Sequence, residues 1–346
     1  MKITTSEIQA FNSPFLQFVA GSAQAEAGRP CPPETASPGA LVYVSEPGQL
    51  EAAIQKKAGI IIATKAALGK PYTLGATQAL FSTPAIPAAM ALVNPRFDNK
   101  LSRWPNEISK QASIHPSAKI GGGTRIGVFA VVGENAVIGE NCVLAPHCIV
   151  EKDAKVGNRT ILHSLVFIGA ECEIGSDCEI HPQTCIGGDG FGFATDKSGL
   201  SHKVPQLGKV IIEDHVEIGA CCTVDRATLT ETRIGFGCKL DTHIHVAHNC
   251  VIGKNALIAA GLAMAGSSRI GDNFRAAGSV LVGDHVVICD NVTVGGRSAV
   301  SKDVTEPGAY MGYPLEPWRD GLRTIASFTS IVEMRRDLKE LKEKLK

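Results

Sequence analysis

A branched aliphatic residue recurs every six positions along most of the chain. From Ile114 the step gives Ile120, Ile126, Val132, Ile138, Leu144, Val150, Val156, Leu162, Ile168, Ile174, Ile180 and Ile186 without a break. The frame returns at Ile212, Ile218 and Val224, slips near Leu229, and runs again from Ile234 to Val300. A helix cannot hold this pattern, because a six-residue step turns about 600° and walks the apolar positions around the cylinder. An ordinary half-buried sheet asks for period two. Period six fits short flat strands joined by turns, three to a triangular coil. The predicted fold is therefore mainly β: a left-handed parallel β-helix of hexapeptide repeats.

Two further positions follow the same frame. Glycine often comes directly after the aliphatic residue, as at Gly121, Gly127, Gly133, Gly139, Gly169, Gly175, Gly253 and Gly271, where close approach or unusual dihedrals are expected. A small residue comes four positions after it, and Cys142, Cys148, Cys172, Cys178, Cys222, Cys238 and Cys250 all fall there. Seven of the eleven cysteines thus read as small apolar core residues rather than as disulfide or zinc ligands. The absence of any CxxC pair agrees.

The flanks lack the period. Residues 1–108 mix strand-like runs ("GIIIAT", "ALVYVS") with a helical one ("PGQLEAAIQKKA") and a proline-rich loop ("AGRPCPPETASPG"), so a small α/β domain is expected. The β-helix then covers 109–312, and 313–346 form a helical extension. In that extension Ile331, Met334, Leu338, Leu341 and Leu345 make a heptad stripe suited to packing against copies of itself. Lys plus Arg and Asp plus Glu balance at 34 each, which advertises no nucleic-acid footprint. No apolar run approaches a membrane-spanning length, and the first residues lack a signal-peptide pattern, so a cytoplasmic protein is expected.

Candidate chemistry sits in two places. The excursion between Ile186 and Ile212 begins "GGDGFGFATD", and Asp189, Phe191 and Phe193 are its candidate ligand contacts. The stretch "DTHIHVAHNC" carries Asp241, His243, His245 and His248. His243 and His245 fall at outward offsets and are candidate substrate contacts. A zinc site through His243 and His248 would need a third nitrogen ligand about two coils earlier, where Leu207 and Ile212 stand, so no metal is expected there.

"IGGDGFGFATD", "KVPQLGKVIIEDHVEIGACCTVDRAT", "HVAHNCVIG", "AMAGS" and "VTEPGAY" closely resemble the UDP-3-O-(3-hydroxyacyl)glucosamine N-acyltransferases of lipid A biosynthesis, in order, from residue 112 to about 315. The resemblance implies transfer of a 3-hydroxyacyl chain from acyl carrier protein, a substrate rather than a cofactor, to the 2-amino group of a UDP-linked, 3-O-acylated glucosamine. It also implies a homotrimer with sites between adjacent β-helices and no cofactor. By the same resemblance His248 is the general base, Asp241 an acid supporting it, Gly266 the oxyanion donor and His285 a second cleft histidine. The family's uracil-binding segment corresponds to "YVSEPGQ", where Tyr43 and Pro47 remain but Glu46 and Gln49 depart from the pattern; "NPRF" is a later family-like element.

Spacing gives independent support. His248 and Gly266 are one 18-residue coil apart, hence about 4.8 Å in a parallel stack. His285 follows His248 by two coils and one residue, about 10 Å along the same edge. Two other classes stay open: another hexapeptide-repeat sugar-nucleotide acyltransferase, and a non-catalytic trimeric sugar-nucleotide-binding scaffold.

Overall fold

The computed structural model describes residues 1–313 and 315–345 and divides into two units, Met1–Arg103 and Trp104–Lys346. In the second unit the six-residue frame becomes three parallel sheets that share each coil between them. The first face runs from Arg125–Ile126 to Val292–Val294 before a short terminal ribbon. The second runs from Ser113–Ile114 to Ala299–Val300, and the third from Lys119–Ile120 to Val287–Ile288. Pairing is in register between residues one coil apart, such as Ile161 with Glu179 and Leu162 with Ile180. Every aliphatic of the frame from Ile126 to Val300 points inward and is buried. Ile114 and Ile120, at the open end of the prism, are only partly covered.

The corner turns resolve what the glycines do. A Cβ on Gly121 would lie 2.4 to 2.6 Å from the backbone of Gly139 and Glu140, so that glycine permits the coils to stack. The left-handed backbone instead sits two residues later, at Asn135, Asn141, Asn249, Asn255, Asn273 and Asn291 among others. Asparagine tolerates that region better than most side chains, and its use here frees glycine for the close contacts.

All seven cysteines of the small-residue slot are buried. Burial pushes the Cys148 thiol up to about 12 and those of Cys178 and Cys238 to about 11. Such thiols stay protonated and unreactive near neutral pH. In the folded chain, a disulfide reagent at pH 8 should therefore modify Cys221 first, since it alone is exposed, and Cys31, Cys185 and Cys289 more slowly. Rapid modification of all eleven without denaturant would contradict the packing described.

The first unit is a small α/β fold. Its sheet orders Gln17–Gly21, Ala79–Thr83, Ile60–Thr64, Leu41–Val44 and Pro30–Cys31, antiparallel only at the Gln17–Gly21 edge. The proline-rich stretch expected as a loop contributes that last strand, at an edge where a missing N–H is tolerated. Helices Thr5–Ala10, Pro47–Gln55 and Ile86–Val93 complete the unit, and buried clusters cover both sheet faces. Beyond the solenoid, helices Trp318–Ser327 and Ile331–Lys344 follow one another. The heptad residues Met334, Leu338 and Leu341 are exposed in the single chain. Among the described residues no helix is long and apolar enough to cross a membrane.

Candidate active site

Turns between the second and third faces make one edge of the prism, and the candidate chemistry gathers there. His248 follows strand His245–Val246, and Gly266 follows strand Ala263–Met264 on the next coil. His285 follows strand Leu281–Val282 on the coil after that. Backbone bonds tie the three turns together, Ser267 N–H to His248 O (2.9 Å) and His285 N–H to Gly266 O (3.1 Å). The extra residue in the His285 spacing matters. It moves His285 to the second turn position, at φ 59°, where its side chain is 74% exposed and its Nδ1 meets Asp284.

His248 is half-buried and held between two glycines. A Cβ on Gly266 would lie 2.7 Å from its Cε1 and 2.9 Å from its Nε2. A Cβ on Gly190, within the "DGFGF" run, would lie 2.7 Å from His248 Cβ and 2.8 Å from Cδ2. The excursion leaves the solenoid at this same edge, between strands Cys185–Gly188 and Lys209–Ile212, and folds Gly190 onto the imidazole. Further out it forms a hairpin, Phe193–Thr195 against Ser201–Lys203. Asp189 pairs with Lys203 at 2.8 Å, while Phe191 (84% exposed) and Phe193 present their rings outward 5.2 Å apart.

The ring's tautomer is set by a chain of hydrogen bonds. The Thr228 N–H donates to Asn249 Oδ1 (2.9 Å), which fixes the amide's orientation because a backbone N–H can only donate. The Asn249 Nδ2 group then donates to Thr228 Oγ1 (3.2 Å) and to His248 Nδ1 (2.9 Å). Thr228 in turn donates to Oε1 of buried Gln206 (3.0 Å), at the end of the excursion. With Nδ1 accepting, the neutral ring carries its proton on Nε2. Thr228 belongs to the stretch where the six-residue frame slips. The slip supplies this contact, and six-residue spacing points to neither Thr228 nor Asn249.

Asp225 and His245 lie beside this edge. The His245 Nδ1 is 2.7 Å from Thr223 Oγ1, and its Nε2 is 3.8 Å from Asp225 Oδ2. Burial pushes the Asp225 carboxyl above its ordinary range, opposed by the charges of His245 and His248.

Asp241 and His243 occupy the other end of the second face, at its turn from the first, so one chain does not bring them to His248. Asp241 is exposed and lines a groove of about 710 Å³ with Glu217, Lys239, Leu257 and Arg275. Gly219, Ala259 and Ala277 also line it. Its own Oδ1 accepts from the Thr242 N–H at 2.7 Å. Within one chain His243 and His248 therefore stand at different edges.

In the first unit the Tyr43 ring is buried and its phenol donates to Asn94 Oδ1 (2.8 Å), joining the "YVSEPGQ" and "NPRF" segments. Glu46 and Gln49, which depart from the uracil-binding pattern, start helix Pro47–Gln55. Gln49 Oε1 accepts from the N–H groups of Ser45 (2.9 Å) and Glu46 (3.3 Å), as a capping residue does.

Comparison with known proteins places this architecture. A family profile described as the GMPPB C-terminal domain matches residues 108–191, within the solenoid. The crystal structure of the Arabidopsis UDP-N-acetylglucosamine acyltransferase superposes with a TM-score of 0.54 at 26% identity, covering 66% of this chain and 80% of that one. The UDP-3-O-acylglucosamine N-acyltransferase of Dechloromonas aromatica is 50% identical over 168 residues, 48% of each chain. At that level of identity the chain spans about half the length of the curated relatives it matches. The protein of the same name from Methylococcus capsulatus is 32% identical over 318 residues, covering 91% of this chain and 89% of that one. An alignment running through both units and the solenoid, at that identity, makes the chain a member of the UDP-3-O-acylglucosamine N-acyltransferase family.

Proposed function

We propose that the protein transfers a 3-hydroxyacyl chain from acyl carrier protein to the 2-amino group of a UDP-3-O-acylglucosamine, as a homotrimer and without a cofactor. The observation that carries this reading is the His248 imidazole held between Gly190 of the excursion and Gly266 of the next coil. A scaffold protein has no use for an imidazole locked at a loop-covered edge. In the reaction the amine nitrogen attacks the thioester carbonyl, the new C–N bond forms, and the carbon–sulfur bond breaks to release the carrier thiol. The amine must lose a proton, and His248 is the group at this edge suited to take it. Charge developing on the carbonyl oxygen is met by the Gly266 N–H.

The Asn249 hydrogen bond favours a second role for the same ring. To accept a proton at Nε2, the neutral imidazole must carry its hydrogen on Nδ1, so the Asn249 amide must turn its oxygen toward the ring. Held as it stands, the ring instead offers Nε2–H as a donor to the carbonyl oxygen. Asn249→Asp separates the two roles, because a carboxylate accepts from Nδ1–H and leaves Nε2 free to accept. If His248 is the base, turnover of the variant should equal or exceed that of the parent. A fall of about 10²-fold, the cost of losing one oxyanion donor, would instead assign His248 the donor role.

A further inference from the structure

Sequence spacing and register place four potential metal ligands on the first face, away from the His248 edge. His163 follows strand Ile161–Leu162, and His181 takes the same position one coil later. Glu179 and His181 flank inward-pointing Ile180, so both project outward, Glu179 from the strand Glu179–Ile180 and His181 just after it. Glu217 pairs directly with Glu179 on the following coil.

Their tips converge. His163 Nε2 lies 2.9 Å from Glu179 Oε1, and His181 Nε2 lies 3.8 Å from the same oxygen and 3.2 Å from Glu217 Oε1. The ligand atoms of His163, Glu179 and His181 all fall within 4.8 Å of one another. Four donors at zinc's usual bond lengths stand about 3.4 Å apart on a tetrahedron, and the distances found straddle that value. The side chains of His163 and Glu179 are only 12% and 16% exposed, and the Trp104 ring meets His163 edge-on at 5.5 Å. His181 and Glu217 are more open, 31% and 44% exposed, so the cluster is shielded at His163 and Glu179 and accessible at the other two.

We propose that His163, Glu179, His181 and Glu217 form a binding site for a divalent transition metal, with zinc the best fit. Two imidazole nitrogens and two carboxylate oxygens are a donor set zinc accepts. His163, Glu179 and His181 already lie close enough to share the ion, and Glu217, 3.2 Å from His181, would turn toward them as the fourth ligand. The imidazoles stack at 4.8 Å and 9° in the ion-free chain, so binding tilts their Nε2 edges toward the ion. An ion here would staple three successive coils.

The test uses full-length protein stripped with chelator and titrated with zinc chloride by calorimetry, with cobalt(II) absorption as a second readout. Wild type should bind one ion per chain, show the intense visible bands of four-coordinate cobalt, and melt at higher temperature with zinc. His181→Gln, which keeps a hydrogen-bonding tip, should weaken binding at least about 100-fold and lose the thermal shift, as removal of a ligand from a closed site should. His215→Ala, which changes an exposed histidine outside the cluster, should bind as wild type does. Turnover at 25 °C should be the same with and without the ion. Absence of stoichiometric zinc in wild type, or equal affinity in His181→Gln, would overturn the site.

Discussion

Replacing His248 with alanine is expected to cut turnover by about 10²–10⁴, the range for a lost general acid–base group. The fold should not notice. His248 is half-buried, its ring rests on two glycines, and its one side-chain hydrogen bond is to Asn249, whose amide keeps both of its bonds to Thr228. Sedimentation and thermal melting should therefore match the parent while steady-state acyl transfer collapses. His243→Ala should cost far less, because His243 stands at the other end of the second face. A His248→Ala protein that is folded, assembled and near parental in turnover would remove the ring from the mechanism.

The second large effect is expected at Gly266. Its backbone is not in the left-handed region, so alanine is allowed there on local grounds. The added methyl, however, would lie 2.7 Å from His248 Cε1 and 2.9 Å from Nε2, inside any tolerable contact. The imidazole must yield, since it can swing where the backbone of a stacked coil cannot. A displacement of about 1 Å at a reacting group costs on the order of 10²-fold. Gly266→Ala should thus lose about two decades of turnover with little change in melting temperature. It should also weaken the Asn249–His248 contact, visible as a shifted imidazole signal by nuclear magnetic resonance. Unchanged turnover and an unchanged signal would mean that the ring does not need this seat.

The solenoid was legible because its packing is local and repetitive. Each inward Ile, Leu or Val meets the same residue type one coil away, so the burial pattern repeats in the sequence at the step that the backbone repeats in space. The cysteines were legible for the same reason. His248, Gly266 and His285 could be placed on one edge by counting in eighteens. What counting could not supply was direction. One added residue turns His285 outward, and seven residues carry the chain from Asp241 at one edge to His248 at the next, so within one chain "DTHIHVAHNC" spans two edges of the prism.

The remaining features depend on interruptions of the frame, where spacing stops being informative. Gly190 reaches His248 only because a twenty-residue excursion folds back on its own edge. Thr228 reaches Asn249 only because the frame slips between Val224 and Ile234. Glu179 and Glu217 are strand neighbours although 38 residues separate them, since the excursion is looped out. His163 and His181, in contrast, are 18 residues apart, and Glu179 and His181 flank one inward residue. The same count that joined His248 to Gly266 would have joined them. Tyr43 shows another limit of counting: its ring is buried in the first unit's core and its hydroxyl meets Asn94, 51 residues on, a pairing no spacing announces.

Acyl transfer to nitrogen sets the proposed reaction apart, and one assay addresses it directly. Purified protein would be incubated with a 3-hydroxyacyl–acyl carrier protein and a UDP-3-O-acylglucosamine bearing a free 2-amine, and the product examined by mass spectrometry after mild alkali. The expected product has gained one 3-hydroxyacyl chain that alkali does not remove, as an amide requires, and acetyl-CoA in place of the carrier substrate gives none. A product whose new chain is lost with alkali, or no transfer from the carrier protein at all, would contradict the function proposed.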